Sequence, residues 1–295
     1  GRCAVIGEAL PFGSSRLLVL TGIVSSRTAP VIVLGPSAPD LASRIEAFWS
    51  LQGSGQERHS FHDFFADGNA NLIVRLSPSG CRAVLLGPVT ARAVVERDEQ
   101  AEYLGLRFRL GQTPSLVDAS TVSLTNEHVE LTQIGRQRLD DLAERLLRER
   151  EPVGRQRLVE ELVRPLPCMV RSARARKLAS VMESNCGALS VDELANQFGL
   201  GVRSLERLCL AELGVSPKRL QRIVRLRHVL RRMHAGNYGT LANVAQVCGY
   251  TDQSHLIKDF KDLTGRLPGE PRAFAPRQLD GAPQTAIVHR YRNCP

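Results

Sequence analysis

The chain has 295 residues, of which 43% are hydrophobic and 23% charged, and a formal net charge of +9. That length suits two folded units, each burying a core of its own, and no apolar run approaches the roughly 18 residues that a membrane span needs. The seven cysteines are scattered and lack a CxxC pair, which argues against a disulfide framework or a structural zinc site and points to reduced thiols and a cytoplasmic address.

From about Arg16 to Leu110 short β-type runs alternate with turn residues. Leu17 to Val24 is the most apolar stretch, and with Thr21 and Gly22 inside it reads as a strand. Val31 to Leu34 before Gly35-Pro36 reads as the next strand. A helix is expected from Asp40 to about Leu51, because Leu41, Ile45, Phe48 and Trp49 fall at helical spacing. Strands follow at Leu72 to Leu76, at Ala83 to Leu86, and at Leu104 to Leu110 with its alternating Leu104, Leu106, Phe108 and Leu110. Such a series with hairpin-length gaps predicts a β-sandwich or barrel. His59, His62 and Asp63 are metal-ligating residue types, but a strand turns His59 and His62 to opposite faces. Surface histidines are the plainer reading, and neither a metal nor a cofactor is expected.

After Gly111 the period becomes helical. Leu139, Leu142, Ala143, Leu146 and Leu147 mark one amphipathic helix; Leu158, Leu162, Val163 and Leu166 mark a second before Pro167. This connector serves either for simple packing or as a dimerisation surface. Leu178, Val181 and Met182 share a further helix, and Ser190-x-x-Glu193 has the form of a capping box. The chain therefore divides into a β-rich unit (1–115), a helical connector (116–168), an all-α unit (169–275) and a loose tail (276–295), an α+β organisation. Charge follows the division: residues 1–150 hold 16 Lys and Arg against 17 Asp and Glu, net −1, whereas residues 151–295 hold 23 against 13, net +10. A polyanion-binding unit joined to a neutral one has this asymmetry.

Within the basic half the chain repeats itself. Leu194-Ala195-x-x-Phe198-Gly199-Leu200 returns 50 residues later as Val244-Ala245-x-x-Cys248-Gly249-Tyr250. At a spacing of 51, Leu205-x-x-x-Cys209 returns as Leu256-x-x-x-Phe260, and Gly214-x-x-Pro217 as Gly265-x-x-Pro268. Each copy specifies a helix with a small inward Ala, a Gly for a sharp turn, and a second helix with apolar residues four apart. That is the requirement for a helix-turn-helix whose second helix keeps a polar face for a major groove. Between the copies a helix is predicted from Pro217 to His234. Ile223, Leu226, Leu230 and Met233 form its buried stripe, and Arg219, Arg222, Arg225, Arg227, Arg231 and Arg232 crowd its other faces. Eighteen residues span roughly 27 Å, a length suited to holding two reading helices in successive grooves.

The stretch Gly249-Tyr250-Thr251-Asp252-Gln253-Ser254-His255-Leu256-x-x-x-Phe260-Lys261-x-x-x-Gly265-x-x-Pro268 resembles the signature of the AraC/XylS family of transcription regulators, and Arg225-Leu226 resembles its linker helix. The likeness covers about residues 171–274, with Pro271 and Cys209 standing where the family usually has aromatics. It implies base-reading roles for Arg203, Glu206 and Arg207 in the first unit and for Gln253, Ser254, Ile257 and Lys258 in the second. Their chemistry suits guanine, adenine, cytosine and the thymine methyl. Asp67-Gly68-x-Ala70-Asn71-Leu72-Ile73, Gly87-Pro88-x-Thr90 and Gly105-x-Arg107-Phe108-x-x-Gly111 are similar to motifs of a cupin-like β domain preceding some such units, which implies sensing or dimerisation.

The resemblance implies a non-enzymatic, sequence-specific regulator of transcription. Its partner is double-stranded DNA; RNA polymerase, a small-molecule effector of unknown identity and a second copy of the chain are further candidates, and no membrane is. Three alternatives are weaker. A cupin-type metalloenzyme lacks a ligand set. An AraC-like DNA-repair methyltransferase would need a cysteine cluster and a Pro-Cys-His stretch, whereas Pro167-Cys168 is followed by Met169. A protein-binding helical repeat does not account for the basic balance.

Overall fold

The computed structural model describes residues 31–53, 59–131, 136–234 and 239–268. The strand expected at Leu17 to Val24, the tail from residue 276 and the departure at Pro271 lie outside them. The described strands are β1 (Val31–Leu34), β2 (Ile45–Gln52), β3 (His59–Phe64), β4 (Asn71–Ser77), β5 (Gly80–Leu86), β6 (Ala93–Asp98), β7 (Glu102–Phe108) and β8 (His128–Glu130). Six form an antiparallel sheet in the order β1-β2-β7-β4-β5-β8, and β3 pairs with β6. The β-rich unit is thus two antiparallel sheets, with no closed barrel among the described residues.

Alternation decides which face each strand buries. Leu104 opposes Val74 and Leu106 opposes Leu72, and all four join one core with Leu85 and Phe108. On the other face Val33, Ala47, Trp49 and Leu51 form a smaller cluster. Trp49 is in register with Gly105, where any Cβ would collide with the indole, so this strand glycine lets the ring lie flat on the sheet.

The helix expected over Asp40 to Leu51 is not formed. A single 3-10 turn, Pro39–Leu41, leads into β2. Ile45 and Phe48 enter the main core while Ala47, Trp49 and Leu51 enter the opposite cluster. A strand buried on both faces loses its polar alternation, and a bulge between Ile45 and Ala47 shifts the register further. The spacing of Leu41, Ile45 and Trp49 imitated a helix.

The connector holds α1 (Thr121–Leu124), α2 (Arg136–Arg148) and α3 (Pro152–Glu161), and it is not wholly helical, since β8 lies between α1 and α2 and pairs with β5 of the main sheet. Leu139, Leu142 and Leu146 of α2 and Val159 of α3 pack on the main sheet; Leu147, one residue off that stripe, is 69% exposed. The connector is a detour, because its ends meet: Ser115 N donates to Pro167 O and Met169 N to Thr113 O, both at 2.8 Å.

Beyond it stand α4 (Ala173–Ser184), α5 (Val191–Gln197), α6 (Val202–Leu208) running into a π turn at Cys209–Leu213, α7 (Pro217–His234), α8 (Leu241–Val247) and α9 (Gln253–Thr264). They build two cores that share α7. Leu220 and Val224 serve the first, and Ile223, Leu226, Val229, Leu230 and Met233 the second. The β unit contributes to both: Leu110 is buried in the first core, and Phe65 and Ala66 in the second. No described helix is long and apolar enough to cross a membrane.

Candidate nucleic-acid interface

The repeat in sequence is a repeat in hydrogen bonds. In the first copy Gly199 takes φ +60° after α5, its N–H donates to Asn196 O at 3.1 Å, and Leu200 N donates to Ala195 O at 2.9 Å. In the second Gly249 takes φ +75°, its N–H donates to Gln246 O at 3.2 Å, and Tyr250 N donates to Ala245 O at 2.9 Å. Left-handed glycine closes the first helix so that the second can cross it. Ala195 and Ala245 are buried where the two helices meet, as are Leu205 with Cys209 and Leu256 with Phe260. Burial pushes the Cys209 thiol up to about 12 and the Cys248 thiol up to about 11, so both stay protonated at neutral pH.

Capping sets where the helices begin. Ser190 and Glu193 exchange both bonds of a capping box on α5, Thr240 accepts from Asn243 N on α8, and Asp252 accepts from His255 N at 2.8 Å on α9. The second helix of each copy stops at a left-handed glycine, Gly214 after the π turn that extends α6 and Gly265 after α9. Gly214 is doubly constrained: at φ +73° an added Cβ would lie 2.8 Å from Thr121 O and collide with Thr125 Oγ1. Gly214→Ala is therefore expected to cost about 2–3 kcal/mol, combining left-handed strain with overpacking. Gly199→Ala, whose Cβ meets nothing within 4 Å, is expected to cost only about 1 kcal/mol. Urea denaturation of the two variants checks the difference.

The structure leaves most of the expected reading residues open. Arg203, Glu206 and Arg207 are exposed on α6, and Gln253, Ser254 and Lys258 are exposed on α9. Ile257 differs: it is half-buried and packs on the core of the second unit. Lys218, Lys261, Arg171, Arg174 and Lys177 are also exposed.

The arginines of α7 are otherwise engaged than their crowding on the outer faces suggests. Arg222 donates to Asp259 Oδ1 at 2.9 Å and to Asp262 Oδ2 at 2.7 Å, and Arg219 donates to Asp262 at 2.8 Å. Arg225 donates to Gly249 O at 3.1 Å and lies 5.0 Å from the centre of the Tyr250 ring. Three arginines at a spacing of three thus clamp the second helix-turn-helix to the shared helix. Arg227 is only 4% exposed and turns to the β unit, donating to both carboxylate oxygens of Glu46 at 2.8 and 3.0 Å, to Asn69 and to Glu183.

The motifs resembling a cupin-like domain gather at this junction. Asp67 pairs with fully buried Arg107, which also donates to Glu46 at 2.9 Å. Gly68, at φ +72°, is closely approached by Leu220 of α7, and Thr90 O accepts two bonds from Arg219 at 2.7 and 3.0 Å. Of the residues noticed in the sequence as a sensor motif, Gly68 and Thr90 meet the helix between the two copies, while Asp67 and Arg107 bond within the β unit, where Arg107 shares Glu46 with Arg227. Glu46, Phe65 and Arg227 were missed. The available signal was that Arg227 sits four residues after Ile223 and three before Leu230, on the apolar stripe itself. For His59, His62 and Asp63 the strand β3 is present, and no group of three ligating side chains able to hold a metal occurs among the described residues.

A helix-turn-helix domain family matches residues 194–273, and a domain of unknown function matches residues 35–130. The HTH-type transcriptional regulator GbdR of Pseudomonas aeruginosa is 29% identical over 107 residues, 35% of this chain and 28% of that protein. The HTH-type transcriptional activator RhaS of Escherichia fergusonii is 31% identical over 104 residues, 34% of this chain and 36% of that protein. The chain thus spans about a third of the length of these curated relatives. Among solved structures, ToxT from Vibrio cholerae aligns over 83% of this chain and 97% of its own at a TM-score of 0.40 and 10% identity, a likeness too loose to bear on fold or function.

Proposed function

We propose that the chain, whose residues 194–273 match a helix-turn-helix domain family, is a regulator of transcription of the AraC/XylS type that binds DNA sequence-specifically and lays α6 and α9 in successive major grooves. The observation that carries the reading is the duplicated turn, with equivalent bonds at Leu200 and Tyr250, each followed by a helix with an open polar face. Arg203 and Arg207 are suited to guanine, Gln253 to adenine and Glu206 to cytosine, while Ser254 and Lys258 reach base edges or phosphates. The ion pairs of Arg219 and Arg222 with Asp259 and Asp262 support a fixed tilt of α9 on α7.

The β unit is proposed to modulate this reading, because it touches α7 through Glu46, Asn69 and Thr90. A small-molecule effector, a second copy of the chain and RNA polymerase are partners within that scheme, and no catalytic step is assigned. Binding of the full chain to a duplex selected from a random pool tests the proposal. Arg207→Ala or Gln253→Ala is expected to cost about 1–3 kcal/mol on that duplex and to relax preference at one base pair. Affinity is also expected to fall steeply with salt as counterions are released. Equal weakening on all sequences would reduce the residue to a phosphate contact, and salt-independent binding would contradict the proposal.

A further inference from the structure

We infer that Val202 is a specificity-determining residue of the first helix-turn-helix, reading the 5-methyl group of a thymine. The inference rests on the proposed groove reading and deepens it.

Three observations converge on it. Val202 is the first residue of α6, and it is 36% exposed while Leu205 and Cys209 of the same unit are fully buried. The repeat spacing of 51 makes it the counterpart of Gln253, the first residue of α9 and itself a proposed base reader. One helical turn on, at i+4, stands exposed Glu206, so Val202 continues the reading row toward the N-terminal end, the part of a recognition helix that enters a groove. Val202 is also not one of the side chains gathered in the first unit's core, whereas Leu200, Leu205 and Leu208 around it are.

Chemistry then narrows the target. A valine side chain offers no hydrogen bond, and the apolar group that a base pair presents in the major groove is the thymine methyl. An exposed β-branched residue contributes nothing to helix formation at this position. The sequence assigns such a contact in the second unit to Ile257, which is half-buried there. In the first unit Val202 is the apolar residue exposed at the start of α6.

The experiment uses the full chain and a duplex selected with it from a random pool, each thymine of the first half-site being replaced in turn by uracil, which differs only by the missing methyl. One replacement is expected to weaken wild-type binding about three- to fivefold, the worth of one buried methyl. The same replacement is expected to leave Val202→Ser unchanged, and Val202→Thr, which keeps one methyl, to retain part of the effect. If every uracil effect persists undiminished in Val202→Ser, the inference is overturned while the regulator reading stands. If no preferred duplex can be selected at all, the regulator reading itself fails and takes the inference with it.

Discussion

Replacing Arg227 with alanine is expected to lower the stability of the folded chain by about 3–5 kcal/mol, the range for breaking a buried ion pair from one side. Arg227 supplies four hydrogen bonds to Glu46, Asn69 and Glu183, and its loss takes one guanidinium partner from buried Glu46 and the bond across the junction from Glu183. Glu46 would keep the bond from Arg107 Nε at 2.9 Å, with Arg231 more distant at 3.8 Å. A double change, Glu46→Gln with Arg227→Met, is expected to recover part of the loss, because the more buried of the two carboxylates is then neutral and only Glu183 has lost its charged partner. Urea denaturation of the three variants measures the comparison.

The same junction gives the fold an acid limb. Burial by itself would raise the Glu46 carboxyl, but Arg227 and Arg107 outweigh burial and bring it down from 4.5 to about 2. A carboxylate depressed in the folded state contributes its full stabilisation above the unfolded value near 4.5 and loses it as pH falls toward 2. Asp67 acts in the opposite sense, since burial raises it despite Arg107. Glu46→Gln is therefore expected to be less stable than wild type at neutral pH and to lose less on acidification. An unchanged acid limb in that variant would remove Glu46 from the account.

Phe65→Ala is the second large expected effect, about 3–5 kcal/mol for an emptied aromatic site. Phe65 belongs by sequence to the β unit, yet it is 2% exposed in the core of the second helix-turn-helix, with the Arg266 guanidinium 5.5 Å from its ring centre. Ala66 N beside it donates to Leu263 O at 3.4 Å. The loss is expected to be local: hydrogen exchange in α8 and α9 accelerates more than in α5 and α6, whose core Phe65 does not enter. DNA affinity is expected to fall with it, because α9 loses its backing. Uniform acceleration across both units would mean that Phe65 supports the fold generally.

The sequence made legible what is specified locally. Glycine at a left-handed turn, a small residue where helices cross, and apolar residues four apart all lie within 25 residues of one another, so both helix-turn-helix copies and the shared helix emerge at the right positions. The strands β4, β5 and β7 emerge for the same reason, by alternation. Hidden were the features fixed by distant chain. Strand β2 hides because both its faces are covered. Arg227 hides because an arginine among arginines reads as solvent-facing, while its partner Glu46 lies 181 residues away. Thr90 was noticed as a motif residue, but its fastening role depends on where α7 comes to rest, as does that of Glu46, the carboxylate that Arg107 shares with Arg227.

The most direct test of the central claim, that α6 and α9 face one side of a duplex and enter consecutive grooves, is hydroxyl-radical footprinting of the full chain on its selected site. Two protected patches offset by about one helical turn, roughly 10 base pairs, on the same face are the predicted result. A single patch, or two on opposite faces, would contradict it.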